Sequence, residues 1–265
     1  MKTIQEYTFT LSILKKLYLE HIVISDTSED LSKILITHPK LVIALNHGHM
    51  TGALAGLIGV SEMFQQHGGS TRTPFGITWR TFYQLPVSKQ IFSYLTQVDK
   101  GIGFEDANDL LKNSGFSDCF IMPEGELCNF GDGLKIQPFL SPRFIELAIR
   151  NNLPVLIVAH QGSENWAWPV KIKKRYRPLL SWLPKNMKEG FNYSGIISIP
   201  KPFKAKISEL YMSFYLYQPS LKEKDLEKDK DKRMIQLTTE ADKVRTKMQA
   251  MMYGLKNERK EKSES

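Results

Sequence analysis

Five short apolar runs constrain this chain most. Leu41–Leu45, Phe75–Thr78, Cys119–Met122, Val155–Ala159 and Gly195–Ile199 are rich in β-forming residues and bounded by polar or turn residues. Runs of this kind suit strands buried on both faces. Helical segments are expected between them, near 52–66, 88–95, 104–113 and 141–151. Alternating strand and helix predicts an α/β fold: a single domain with a central mixed sheet flanked by helices. A length of 265 residues suits one such domain with a sizeable core.

The ends of the chain differ from its middle. Ile4, Tyr7, Leu11, Leu14 and Tyr18 recur at helical spacing, so residues 1–36 are expected as an N-terminal amphipathic helix region. Residues 37–220 are expected as the α/β domain. Residues 221–256 combine the charge run LKEKDLEKDKDKR with a helix that docks through Leu237, Ala241, Val244, Met248, Met251 and Leu255. Thr239 with Asp242 resembles a capping box at the start of that helix. Residues 257–265 are expected as a disordered tail.

Composition narrows the partners. A net charge of +8 favours polyanions: nucleic acid, anionic lipid headgroups or phosphorylated small molecules. No nucleic-acid motif is found, which ranks lipid above nucleic acid. The first residues do not make a signal peptide, because Lys15 and Lys16 interrupt the apolar stretch. No apolar run is long enough for a transmembrane helix. Cys119 and Cys128 form no disulfide framework, which suits a reducing, cytoplasmic setting.

The chemistry concentrates where the first run breaks open, at Asn46-His47-Gly48-His49. Three readings fit two histidines at a strand end. In an extended segment both point to one side, so His47 and His49 could chelate a metal, with His160 as a remote third ligand. They could be loop histidines without a role. Or one of them could take a proton from a substrate. No spacing such as CxxC or HExxH supplies further ligands, so no metal is expected.

Two later segments favour the third reading. One is IMPEGELCNFGDGL, with Pro123-Glu124-Gly125-Glu126 after a strand; the other is NNLPVLIVAHQG, a strand led by Pro154. Together with Asn46-His47 and with Gln97-Val98-Asp99-Lys100-Gly101, they resemble the ordered blocks of the phospholipid/glycerol acyltransferase family, which includes the lysophosphatidate acyltransferases. The resemblance covers roughly residues 40 to 255 and implies a glycerolipid acyltransferase-like fold. It implies an O-acyltransferase of phospholipid biosynthesis, with His47 as general base and acyl-CoA or acyl carrier protein as donor. Lys100, Glu124, Gly125 and Glu126 would lie at the acceptor, and no cofactor is needed.

The chain departs from the family pattern in three places. The family aspartate, five residues after the histidine, is Gly52 here. Such a carboxylate fixes the tautomer and supports the imidazolium, and its loss costs about 10⁴ in rate in serine proteases. His49, Glu124, Glu126 or a carboxylate from another loop would have to replace it. Otherwise the chain is a weak or inactive lipid-binding relative. Glu126-Leu127 stands where the family often has Thr-Arg, and Lys100 where it usually has arginine. Lysine keeps the charge and loses the bidentate fork, which weakens the case for a phosphorylated acceptor and makes a neutral glycerolipid alcohol, or another hydroxylated lipid, credible.

A lipid substrate implies contact with a membrane. Trp166, Trp168 and Trp182 fall among Lys171, Lys173, Lys174 and Arg175. Indole rings and basic side chains together suit an anionic headgroup layer. Residues 164–188 are therefore expected as a peripheral docking loop. A solvated basic face with tryptophans tucked into the core is the competing reading of the same residues.

Overall fold

Apolar runs with no polar face need cover on both sides, and the chain supplies it with helices packed on both faces of the main sheet. The computed structural model describes residues 1–173, 175 and 185–264. A 3-10 turn at Ile4–Tyr7 leads into helix α1, Thr8–Tyr18, then strand β1, Leu19–Ile24, and helix α2, Leu31–Thr37. Strand β2 (Leu41–Leu45), helix α3 (Gly52–Gln66) and strand β3 (Pro74–Gly76) follow. A 3-10 turn at Arg80–Tyr83 precedes α4 (Pro86–Thr96), α5 (Phe104–Asn113) and β4 (Asp118–Ile121). Then come α6 (Arg143–Arg150), β5 (Val155–Gln161) and β6 (Ala167–Lys171). The last elements are α7 (Lys185–Ser194), β7 (Ile196–Pro200), β8 (Ile207–Tyr217) and α8 (Lys230–Glu264).

One six-stranded sheet runs in the order β1-β8-β5-β2-β4-β3. β5, β2, β4 and β3 are parallel. β8 is antiparallel to β5, and β1 is parallel to β8, so the sheet is mixed. The two-residue period of a strand then sorts the side chains. Leu41, Ile43 and Leu45 face α2 and α3, against Leu35, Ile58 and Phe64. Val42 and Ala44 face the other way, in a cluster with Leu111 of α5, Ile145 of α6 and Met248 of α8.

This topology creates a crevice. The chain leaves β2 through α3 on one face and leaves β4 through α6 on the other. β2 and β4 are neighbours, so their outgoing loops part at the carboxyl end of the sheet. Ligands of open α/β sheets bind at such switch points. His47 follows β2 there, and Glu124 follows β4.

Several elements differ from the sequence expectation. Residues 1–36 are not only helical: they supply β1, an edge strand of the main sheet. The run near Gly195–Ile199 is a strand, but it pairs with β6 in a separate two-stranded ribbon. α8 begins at Lys230, not near Thr239, whose hydroxyl donates back to the Ile235 carbonyl at 3.0 Å inside the helix. Residues 257–264, expected as a disordered tail, continue that helix. Lys262 pairs with Glu258 at 2.8 Å one turn back, and Arg259 reaches Glu164 at 3.1 Å in the loop after β5.

The expected docking loop divides too. Trp166 is fully buried, edge-on to Tyr18 at 5.5 Å, with its Nε1–H donating to the Ala205 carbonyl at 2.6 Å. A ring held this way cannot enter a bilayer, so Trp166 is a core residue. Trp168, Lys171, Lys173 and Arg175 are exposed. Lys174 and Trp182 lie outside the described residues. Cys119 and Cys128 are free and buried.

Candidate functional site

Asn46 prolongs the β2–β5 pairing after the strand itself has ended. Its N–H donates to the Val158 carbonyl at 3.1 Å. Its side-chain Oδ1 accepts from the His160 N–H at 2.7 Å, and its Nδ2 donates to the His160 carbonyl at 3.2 Å. An asparagine amide carries one donor and one acceptor side, so it can stand in for a peptide unit. The His160 ring closes the clamp, donating Nε2–H to the Asn46 carbonyl at 3.1 Å. A carbonyl only accepts, so the proton of His160 is on Nε2. The ring packs on Gly56 of α3, where a Cβ would come within 2.7 Å of it.

His47 emerges from this clamp half-buried. Its backbone N–H donates to Glu124 Oε1 at 2.8 Å. Its ring Nδ1 donates to the His49 carbonyl at 3.2 Å, across a turn in which Gly48 adopts φ +69°. That bond fixes the tautomer and leaves the Nε2 lone pair without a hydrogen bond among the described residues. Burial pushes the His47 pKa below its usual value, so the ring is neutral at physiological pH.

Glu124 is almost fully buried, and its second oxygen accepts from the Gln137 N–H at 2.7 Å. Both oxygens therefore bind backbone amides. Glu124 holds the His47 peptide in place. Gly125 turns the chain behind it with φ +52°. Glu126 is half-buried in the same turn.

His49 is buried and differently occupied. Its Nε2–H donates to the Ser163 carbonyl, and its Nδ1 accepts from the Thr51 hydroxyl at 3.3 Å. With both ring nitrogens engaged, its ring ties the β2 loop to the β5 loop. Only its main-chain carbonyl serves His47. The space beside Gly52, where the resembled family carries aspartate, is filled from outside: a Cβ on Gly52 would stand 2.8 Å from Ser163 Oγ and 3.0 Å from the His47 carbonyl oxygen. Among the described residues, no carboxylate hydrogen-bonds or ion-pairs with the His47 ring, and no three His, Cys, Asp or Glu side chains cluster to hold a metal. Lys100 stands exposed between α4 and α5, 3.9 Å from Asp106.

Ser163, Gln137 and the Asn46–His160 clamp were missed by sequence reasoning. Each is far along the chain from the residue it serves, and a single sequence carries no signal for such pairs.

The buried titratable groups oppose one another in pH. Burial lowers His160 to about 3 from an unfolded value near 6.5, so its contribution to stability is complete above pH 6.5 and fades as pH falls. Burial raises Glu124 to about 7 from 4.5, so the folded state binds the proton more tightly. Its contribution grows as pH falls from 7 to 4.5. Glu124→Gln removes that compensation. Stability measured by urea titration should then fall more steeply than in the wild type over this window, by about 1.4 kcal/mol per pH unit. Parallel slopes for the two proteins would show Glu124 to be an ordinary carboxylate.

No family model, curated protein or solved structure matches the chain.

Proposed function

We propose that this chain is an O-acyltransferase that moves a fatty acyl group from acyl-CoA or acyl carrier protein to a hydroxyl of a glycerolipid-type acceptor. The observation that carries this reading is the state of His47. It is a neutral imidazole at the carboxyl end of a parallel strand, with Nδ1–H held and the Nε2 lone pair free. A hydroxyl is a poor nucleophile until its proton is taken, and a held histidine does this. The acceptor O–H gives its proton to Nε2 as the oxygen attacks the thioester carbonyl. The tetrahedral adduct then collapses, the C–S bond breaks, and the leaving thiolate takes the proton back from the imidazolium. Gly48 keeps the backbone beside the base slim.

The resemblance of the four blocks to the phospholipid/glycerol acyltransferases supplies the substrate class. The departures at Lys100 and Glu126-Leu127 favour a neutral acceptor over a phosphorylated one. A second reading, a lipid-binding relative without turnover, is favoured by Ser163 in the aspartate seat. A carbonyl can fix the tautomer as a carboxylate does, but it supports an imidazolium less.

Labelled acyl-CoA and acyl carrier protein, each offered with mono- and diacylglycerol, lysophosphatidate and a sterol, test both readings. Transfer to at least one lipid alcohol, faster with the neutral than the phosphorylated glycerolipid, is the expected result. Lipid binding without transfer to any acceptor would select the second reading.

A further inference from the structure

Two helices carry apolar side chains on the wrong side. α1 packs the half-buried Leu14 and Tyr18 toward the sheet, yet Phe9, Ile13 and Leu17 are 78%, 44% and 58% exposed. α4 repeats the pattern: Val87, Ile91 and Leu95 are 72%, 52% and 42% exposed. Each set follows the i, i+4, i+8 spacing of a single helix face. Scattered exposed apolar residues need no explanation, but two complete stripes do.

The two helices meet. Tyr7 and Tyr94 lie edge to face at 5.0 Å, the Tyr7 hydroxyl donates to the Tyr94 carbonyl at 2.7 Å, and Thr10 shares a 2.8 Å hydrogen bond with the Tyr94 hydroxyl. The apolar surface continues into the turn before α4. Trp79 there is 58% exposed and lies edge-on to Phe82, which stacks on Phe92 at 4.2 Å.

The charge around this surface is net positive, with Glu6 and Asp99 as exposed acids among its lysines and arginine. Arg80, Lys89 and Lys100 are exposed on the 79–100 segment, against Asp99 as the single acid. Arg80 and Lys89 make no ion pair among the described residues. Lys2 and Lys16 add to the rim from the first helical segment. A second copy of this chain would be a poor occupant. A two-fold interface sets the same patch against itself, so the basic rims would face each other. An anionic bilayer meets both features: headgroups pair with the lysines and arginine, and the acyl boundary takes the stripes.

We propose that the face formed by α1, the Arg80–Tyr83 turn and α4 docks this protein on an anionic lipid bilayer, with Trp79 at headgroup depth. The inference takes from the proposed function only that the substrate is a lipid. Its place in the fold fits that need, because the turn carrying Trp79 follows β3, at the same carboxyl end of the sheet as His47.

Vesicles of phosphatidylcholine with 30 mol% phosphatidylglycerol, and of phosphatidylcholine alone, provide the test. Four proteins are compared by co-sedimentation: wild type, L85S/V87S/I91Q, K171Q/K173Q/R175Q and His47→Ala. All three apolar substitutions fall on exposed side chains, and circular dichroism checks the fold. The expected result is tight binding to the anionic vesicles by wild type and His47→Ala. The apolar triple should lose about tenfold or more, and the ribbon variant should lose less. Tryptophan emission should shift to the blue on binding, and Trp79→Phe should remove that shift. Undiminished binding by the apolar triple, or binding lost only in the ribbon variant, overturns the proposal. So does a wild-type dimer in solution that the apolar triple dissolves. Full binding by a protein that transfers no acyl group would sink the catalytic reading and leave this one standing.

Discussion

Replacing His47 by alanine should lower acyl transfer about 10³-fold while leaving the protein folded. A positioned general base contributes on the order of 10²- to 10⁴-fold. The side chain is half-buried, and the loop is held through the His47 backbone N–H to Glu124, which alanine keeps. His49→Ala should behave in the opposite way. It deletes the link to the Ser163 carbonyl and the contact to Thr51, so it should cost about 1–3 kcal/mol of stability and only part of the turnover. Its carbonyl, which holds His47 Nδ1, survives the substitution. Because burial lowers the His47 pKa, the acid limb of kcat/KM should fall below pH 6.5 in the wild type. The readouts are kcat/KM with the best acceptor from the panel and a urea midpoint for each variant. Turnover retained by His47→Ala and lost by His49→Ala would reverse the assignment.

How legible each part was depended on whether its cause is local. β2 and β5 could be read directly, because strands buried on both faces need continuous apolar side chains and have them. β8 escaped, since ISELYMSFYLY mixes Glu209, Ser213 and tyrosines into the strand. Ser213 and Tyr211 are nevertheless buried, because β8 lies between β1 and β5. β1 escaped for a related reason: as an edge strand it leaves Glu20 and His21 exposed, although the two point to opposite faces. Charge density misplaced Trp166, whose burial depends on Tyr18 and Ala205, far away in sequence. At the site, the residue types were visible and their partners were not. Asn46, His47 and Glu124 stood out as motif residues. That Glu124 would bind the His47 peptide and not its ring depends on the register of β2 against β4.

Placing at Gly52 the aspartate of the family that the blocks resemble should fail. Gly52→Asp places a Cβ 2.8 Å from Ser163 Oγ and 3.0 Å from the His47 carbonyl oxygen, closer than real Cβ atoms normally sit. An aspartate at the first position of α3 gains about 0.3–1 kcal/mol from the helix dipole. Overpacking a buried site costs about 1–3 kcal/mol, so the clash wins. The backbone that must shift is that of His47, the proposed base, and a displacement of about 1 Å can cost about 100-fold in rate. The single variant should therefore lose both stability and turnover. Ser163→Gly removes the hydroxyl that fills the seat and leaves the Ser163 carbonyl on His49. The double variant should recover most of the stability, a coupling of about 0.5–3 kcal/mol for two groups in contact. Its turnover should rise above that of Gly52→Asp without exceeding the wild type, because His47 Nδ1 already donates to the His49 carbonyl and has no second proton to give. Urea midpoints and kcat/KM for the four corners of this cycle decide the matter. If Gly52→Asp alone surpassed the wild type, the seat would be open and the carbonyl a poor substitute for the carboxylate. Full additivity in stability would mean that Ser163 does not fill the seat at all.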